Sequence, residues 1–269
     1  MFRRCSMVRG PVELSYVVGG SGPVVVFLHG LAGESGEFAP TMAALVGGFR
    51  VIALDQRGHG RSTRRPSDLS REAYVQDVVA LIDHVSPGQP VHLVGQSMGA
   101  HTAMLVAAAR PDLVASLAML EVDAGSGSSD DAAALGRYFA GWPVPFASRS
   151  AAQAFLGESP VAGAWVSALE RRDGGLWPRF DADIMESCIR AVGVPRWDEW
   201  AAVKARTLVI YAENGMFTEA QKTGFVGHRR GTLRIDLPNA GHDAHLDQCE
   251  PWTEALQAYL SESLVVCDR

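Results

Sequence analysis

With 269 residues, 47% of them hydrophobic and 20% charged, the chain has the composition of an ordinary soluble globular protein with a large core, which excludes a disordered or fibrous polypeptide. Its formal net charge of −6 argues against a nucleic-acid partner, because the arginine pairs Arg3/Arg4, Arg64/Arg65, Arg171/Arg172 and Arg229/Arg230 are scattered rather than gathered on one face. The cysteines Cys5, Cys188, Cys249 and Cys267 form no C-x-x-C pair and have no histidines at zinc spacing, so free thiols in a reducing compartment are expected, and no metal.

MFRR at the start is basic, but the following CSMVRGPVELS lacks the apolar stretch of about 7 to 15 residues that a signal peptide needs. The longest apolar runs, VVVFL and AMLVAAA, fall far short of the roughly 20 residues of a membrane span, so a cytoplasmic location without a membrane partner is the expectation. VRGPVELSYVVGGSGP reads as two short β pieces split by Gly10-Pro11, which predicts an antiparallel hairpin. Short apolar runs rich in β-branched residues follow at Val24–Leu28, Arg50–Leu54, Val91–Val94, Ser116–Leu120 and Thr207–Tyr211, as expected of strands buried on both faces of a parallel sheet. REAYVQDVVALIDHV, preceded by Ser70 as N-cap, has apolar residues at helical spacing, and strand alternating with helix implies a doubly wound α/β fold. After Asp123 the breaker AGSGSSDDA interrupts that alternation until Thr207. The expected organisation is therefore a first core part over residues 1–124, a mostly helical cap over about 125–200, and a second core part over 201–269. Trp142, Trp165, Trp177, Trp197 and Trp200 fall in the insertion, which makes it a candidate aromatic lid. PWTEALQAYLSESL, with Trp252, Ala255, Leu256, Tyr259 and Leu260 on one face, reads as a closing helix.

The chemistry centres on Gly95-Gln96-Ser97-Met98-Gly99, between the apolar run VHLV and the helix former AHTAMLVAAA. A sharp strand-to-helix turn there strains Ser97, exposes its hydroxyl and aims the Met98 amide at an oxygen bound above it, while the glycines relieve crowding. His29-Gly30-Leu31 closes the first parallel strand, where the Leu31 amide is the expected second oxyanion donor, and Asp55-Gln56-Arg57-Gly58-His59-Gly60-Arg61-Ser62 closes the next with a glycine-punctuated turn. HG, D-x-R-G-x-G-x-S, G-x-S-x-G and a late G-H together resemble the α/β-hydrolase superfamily over nearly the whole chain. Among the eight histidines, His242 is favoured as base because a loop after RIDL carries it over the strand ends and because it matches the superfamily's late G-H. A helix should turn the rival His245 aside. His29 and His59 belong to backbone-shaping motifs, and His84, His92, His101 and His228 read as ordinary helix, strand or surface residues.

The resemblance also implies an orienting aspartate after TLVIY, but the chain has Ala212-Glu213-Asn214-Gly215, with glycine at that place. Loss of such an acid costs about 10⁴ in turnover, so a carboxylate from elsewhere is expected: Glu121 first, Asp123 second and Glu213 third. The implied protein is a serine hydrolase without cofactor, with Ser97, His242 and Glu121 as triad and Leu31 and Met98 as oxyanion donors. It would cleave a small or medium apolar ester, lactone or thioester through an acyl-enzyme. The alternatives are a catalytically reduced binding or sensor protein, a cofactor-free non-hydrolytic catalyst, and a carbon-carbon bond hydrolase or perhydrolase. Oligomeric state is not legible.

Overall fold

The computed structural model describes residues 1–125 and 127–267, with side chains through residue 262. Ser126 of the Gly/Ser breaker and the Cys267 side chain lie outside the described residues. Strands β1 (Arg3–Arg9) and β2 (Val12–Gly19) form the antiparallel hairpin around Gly10-Pro11. The chain continues through β3 (Val24–Leu28), α1 (Ala39–Leu45), β4 (Arg50–Leu54), α2 (Arg71–Val85), β5 (Val91–Gln96), α3 (Met98–Ala109) and β6 (Val114–Leu120). A long excursion follows: α4 (Ser129–Ala140), α5 (Arg149–Leu156), α6 (Pro160–Ala168), a small hairpin of β7 (Glu170–Arg172) and β8 (Gly175–Trp177), then α7 (Ala182–Val192) and α8 (Trp197–Ala202). The core resumes with β9 (Arg206–Asn214), α9 (Glu219–His228), β10 (Leu233–Gly241), α10 (Ala244–Asp247) and α11 (Cys249–Cys267).

The eight-stranded sheet has the order β1-β2-β4-β3-β5-β6-β9-β10. β2 pairs antiparallel with β4, and every pairing from β4 to β10 is parallel. The five apolar runs are its inner strands, and alternate residues serve opposite faces. Along β3, Val24, Val26 and Leu28 join the apolar cluster under α2, α3, α8 and α9, whereas Val25 and Phe27 join the cluster under α1 and α11. Burial on both faces is the reason these runs lack polar alternation. Helix α2 begins where expected, with Ser70 Oγ accepting from the Ala73 amide at 3.2 Å. The closing helix buries Trp252, Leu256, Tyr259 and Leu260 against the sheet.

The excursion between β6 and β9 has an apolar cluster of its own. Phe139, Trp142, Phe146 and Phe180 pack there with Met98 and Ala32 from the core. Trp197 and Trp200 lie elsewhere: Trp200 stacks on Phe225 of α9 with centroids 4.4 Å apart, and its indole N–H donates to Phe225 O at 2.8 Å. Truncation of Trp200 to alanine removes that stack from a fully buried position. The expected loss is about 3–5 kcal/mol in urea unfolding; a loss below about 1 kcal/mol would contradict the weight given to this contact.

Candidate active site

The elbow at Ser97 is built by close packing of backbone on backbone. Ser97 has φ 51 and ψ −118, outside the comfortable regions for an L residue. Such a conformation costs on the order of 1–3 kcal/mol and persists only when the surroundings over-determine it. Here the Ser97 amide donates to Leu120 O at 2.8 Å, and Ser97 O accepts from the His101 amide at 3.0 Å. A β-carbon on Gly95 would stand 2.5 Å from the Ala100 backbone, and one on Gly99 would stand 2.1 Å from Leu28 O. The paired glycines thus let the first turn of α3 pass directly over β5 and β3, which is why the serine is bracketed as it is.

The loop expected to carry the second oxyanion donor follows β3. His29 Nε2 accepts from the Gln56 amide at 2.9 Å, so the ring N–H is on Nδ1 and donates to Gly30 O at 2.7 Å. Gln56 Nε2 returns a bond to His29 O at 2.7 Å. Asp55, fully buried, accepts from the Ser35 amide at 2.7 Å and from the Arg61 amide at 3.1 Å, which ties the loop after β3 to the turn after β4. Burial pushes the His59 imidazole down to about 3, so it stays neutral in that turn. Met98 supplies the first amide of α3, a position with no acceptor inside its own helix. Among the described residues no hydrogen bond occupies the Leu31 amide.

Glycine at position 215 has a specific cause. Glu121, at the end of β6, adopts φ 51 and is 1% exposed. Its Oε1 accepts from the Ala212 amide at 2.8 Å and its Oε2 from the Met216 amide at 2.8 Å. A β-carbon on Gly215 would lie 2.3 Å from both carboxylate oxygens. The carboxylate therefore fills the volume where a side chain on that loop would sit, and Oε2 lies 3.3 Å from His242 Nδ1. The other two carboxylates are engaged elsewhere. Asp123 Oδ1 accepts from the Gly125 amide at 2.8 Å, and Glu213 Oε2, on the exposed end of β9, accepts from the Asn239 amide at 2.8 Å.

His242 reaches this position because β10 bulges between Leu237 and Gly241 while β9 advances only from Ala212 to Asn214. Gln96 Nε2 donates to His242 O and to Asp243 Oδ1, each at 3.3 Å. His245 is turned inward by α10 and packs on Phe38 at 5.1 Å, with Glu37 Oε2 at 3.8 Å. Burial pushes Glu37 up to about 7 and His245 down to about 4, so both favour their neutral forms there.

Ser97, Met98, Glu121 and His242 line one cavity of about 370 Å³. Among the described residues no hydrogen bond joins Ser97 Oγ to the imidazole; in ligand-free sites such contacts commonly tighten only around substrate. The cavity walls correct the expectation of an aromatic lid. Leu135, Ile189, Val192, Met216 and Phe217 line it, and no tryptophan does. Trp142 and Trp165 pack instead against Phe139, where aromatic edges and faces hold the inserted helices together. His101, read from sequence as an ordinary helix residue, also lines the cavity. Its spacing of four from Ser97 puts it on that residue's side of α3, a signal present in the sequence.

Residues 23–147 match the family model described as alpha/beta hydrolase fold. The chain is 29% identical over 262 residues to a 2-(acetamidomethylene)succinate hydrolase of Mesorhizobium japonicum, covering 90% of this chain and 88% of that protein. A shorter match, 42% identical over 117 residues, joins it to an sn-1-specific diacylglycerol lipase of Mus musculus, covering 42% of this chain and 38% of the lipase. A crystal structure of E-2-(acetamidomethylene)succinate hydrolase superposes with a TM-score of 0.86 at 25% identity, over 97% of this chain and 100% of that one.

Because Gly215 makes room for Glu121, Gly215→Ala should cost about 1–3 kcal/mol from overpacking. A double-mutant cycle with Glu121→Ala should recover most of that cost, and strictly additive losses would refute the steric coupling. Glu37 yields a pH prediction. Its folded value of about 7 lies above the ordinary 4.5, so the folded state holds a proton that the unfolded state releases between those values. The resulting stabilisation is complete below about pH 4.5 and is lost as pH rises through about 7. Glu37→Gln should therefore gain stability relative to the parent between pH 5 and pH 8; a pH-independent difference in denaturant midpoint would refute the assignment.

Proposed function

The chain belongs to the α/β-hydrolase superfamily and is a hydrolase, and from that premise we propose that it cleaves small or medium esters, lactones or thioesters through an acyl-enzyme on Ser97. The observation that carries this reading is the seat of Glu121: a buried carboxylate, held by two backbone amides, with its Oε2 3.3 Å from His242 Nδ1. An imidazole whose Nδ1–H is held in this way presents the Nε2 lone pair to its surroundings, the tautomer a general base requires.

In the proposed cycle His242 Nε2 takes the Ser97 hydroxyl proton as Oγ attacks the substrate carbonyl. The amides of Leu31 and Met98 donate to the tetrahedral oxyanion, where charge develops in the transition state. Collapse breaks the bond to the alcohol or thiol leaving group, which takes the proton back from Nε2. Water, deprotonated by the same imidazole, then attacks the acyl carbon and restores the serine. Glu121 stabilises the transient imidazolium in both halves.

A cavity of about 370 Å³ with aliphatic, methionine and phenylalanine walls suits a ligand of modest size with an apolar body. The Mesorhizobium japonicum relative is named as hydrolase of a small substituted succinate, which supports a small-molecule substrate. Among the described residues no helix is long and apolar enough to cross a membrane.

A fluorophosphonate probe should label Ser97, and peptide mapping reads the site directly. Failure to label folded protein would refute the acyl-enzyme and favour the binding or non-hydrolytic alternative. On p-nitrophenyl esters Glu121→Gln should lower kcat by up to about 10⁴, whereas Asp123→Asn should have a much smaller effect. Equal kinetics in Glu121→Gln and parent, with matching urea midpoints, would remove Glu121 from the triad.

A further inference from the structure

The sheet supplies no direct bond between the element that carries Ser97 and the one that carries His242. β5, which ends at Gln96, and β10, which leads into the histidine loop, are separated by β6 and β9. β10 pairs with β9 alone, and that pairing shifts register between Leu237 and Gly241, immediately before the histidine. Proton transfer between a hydroxyl and an imidazole depends on their separation to within about 1 Å, so something other than the strand ladder has to set it.

Gln96 lies between them. It is the last residue of β5, adjacent to Ser97, and is 2% exposed. Its Nε2 donates to His242 O and to Asp243 Oδ1, each at 3.3 Å, and among the described residues these are the hydrogen bonds that join residues 95–99 to residues 241–244. Two acceptors on one side fix the orientation of the amide: its NH₂ faces the histidine loop and Oε1 turns away. That oxygen also has a fixed place, because a β-carbon on Gly30 would stand 2.0 Å from it. Gly30 is in the loop after β3, one residue before Leu31, so its lack of a side chain makes room for Gln96 much as Gly215 makes room for Glu121. One buried amide is thus wedged between the loop after β3 and the histidine loop, on a backbone that runs straight into the elbow. Glu121 holds the ring of His242 through Nδ1 at 3.3 Å. Gln96 holds the main chain of the same residue.

We propose that Gln96 is a positioning residue that, by donating to the main chain of His242, sets the imidazole at the distance from Ser97 Oγ at which Nε2 takes the proton. It touches neither the substrate nor the reacting atoms and acts through His242. A neutral amide of this length meets three demands at once: it reaches His242 O, it donates to two acceptors, and it adds no charge beside the Asp243 carboxyl. Asparagine would fall one carbon short, and glutamate would turn an acceptor toward two acceptors. This inference rests on the serine hydrolase reading above.

Loss of this hold should appear in kcat rather than in KM. On p-nitrophenyl butyrate Gln96→Met, similar in length but without a donor, should lower kcat by about 10- to 100-fold, the scale on which a misplacement of about 1 Å acts. KM should stay within about threefold of parent, since the substrate contacts are untouched, and fluorophosphonate labelling of Ser97 should slow in proportion to kcat. Gln96→Asn should fall about as far, and Gln96→Glu further. A side chain that merely fills space would give the reverse order, with Gln96→Glu near the parent and Gln96→Asn the poorest. That reversed order overturns the proposal, as does a kcat in Gln96→Met equal to the parent's. The imidazole is read directly by side-chain proton–nitrogen correlation NMR, with the His242 signals assigned through their loss in His242→Gln. Gln96→Met should shift those signals, and unmoved signals in folded protein overturn the proposal whatever the kinetics. Where Gln96→Met does not fold, Gln96→Asn carries the same readings. The spectra also separate the failures. A parent that resists the fluorophosphonate while its His242 signals respond to Gln96→Met defeats the acyl-enzyme and keeps the hold on His242, whereas a labelled parent with unmoved signals defeats only this assignment.

Discussion

One carboxylate organises the candidate site. Glu121 leaves β6 in a left-handed backbone conformation and crosses to the end of the neighbouring strand β9, where the Ala212 and Met216 amides hold its two oxygens. Those amides belong to a chain that is bent, without a side chain at its middle, around the carboxylate. The histidine loop then meets an acceptor whose orientation is fixed by backbone rather than by a rotamer. Side chains gripped by main-chain donors lose little entropy on meeting a partner, and this is what a preorganised site requires.

The sheet places the three elements side by side. β5, β6 and β9 are consecutive neighbours, with β10 at the edge, so serine, acid and histidine arrive from adjacent carboxyl ends. This is the location at which open α/β sheets carry their ligands. Two positive φ values at Ser97 and Glu121 concentrate backbone strain at this edge, and the sheet packed on both faces over-determines it.

Much of this was legible in the residues. The inner strands were visible because burial on both faces leaves uninterrupted β-branched runs, and the elbow because two glycines and a flanking helix former have few other uses together. The departure at Gly215 was visible as an absence, and its cause became apparent only when Glu121 was found in the space a β-carbon would occupy. Long-range steric exclusion of this kind leaves no local pattern. The tryptophans misled for a related reason. Their clustering in sequence suggested a shared role, but Trp200 belongs to the core through α9, and Trp142 and Trp165 face one another rather than the cavity. His101 was passed over although its spacing of four from Ser97 already put it on that residue's side of α3.

The position of the acid also changes what the loop after β9 is free to be. With the Glu121 carboxylate lying beside this loop, residues 214–217 supply it one main-chain donor, the Met216 amide, and the gap at Gly215, and under the proposed mechanism their side chains take no part in the chemistry. Met216 and Phe217 take up that freedom as part of the cavity wall. Under the proposed mechanism, changes at these two side chains can reshape the cavity wall without touching the proposed proton relay, so a new ligand shape could evolve there while Ser97, His242 and Glu121 stay as they are.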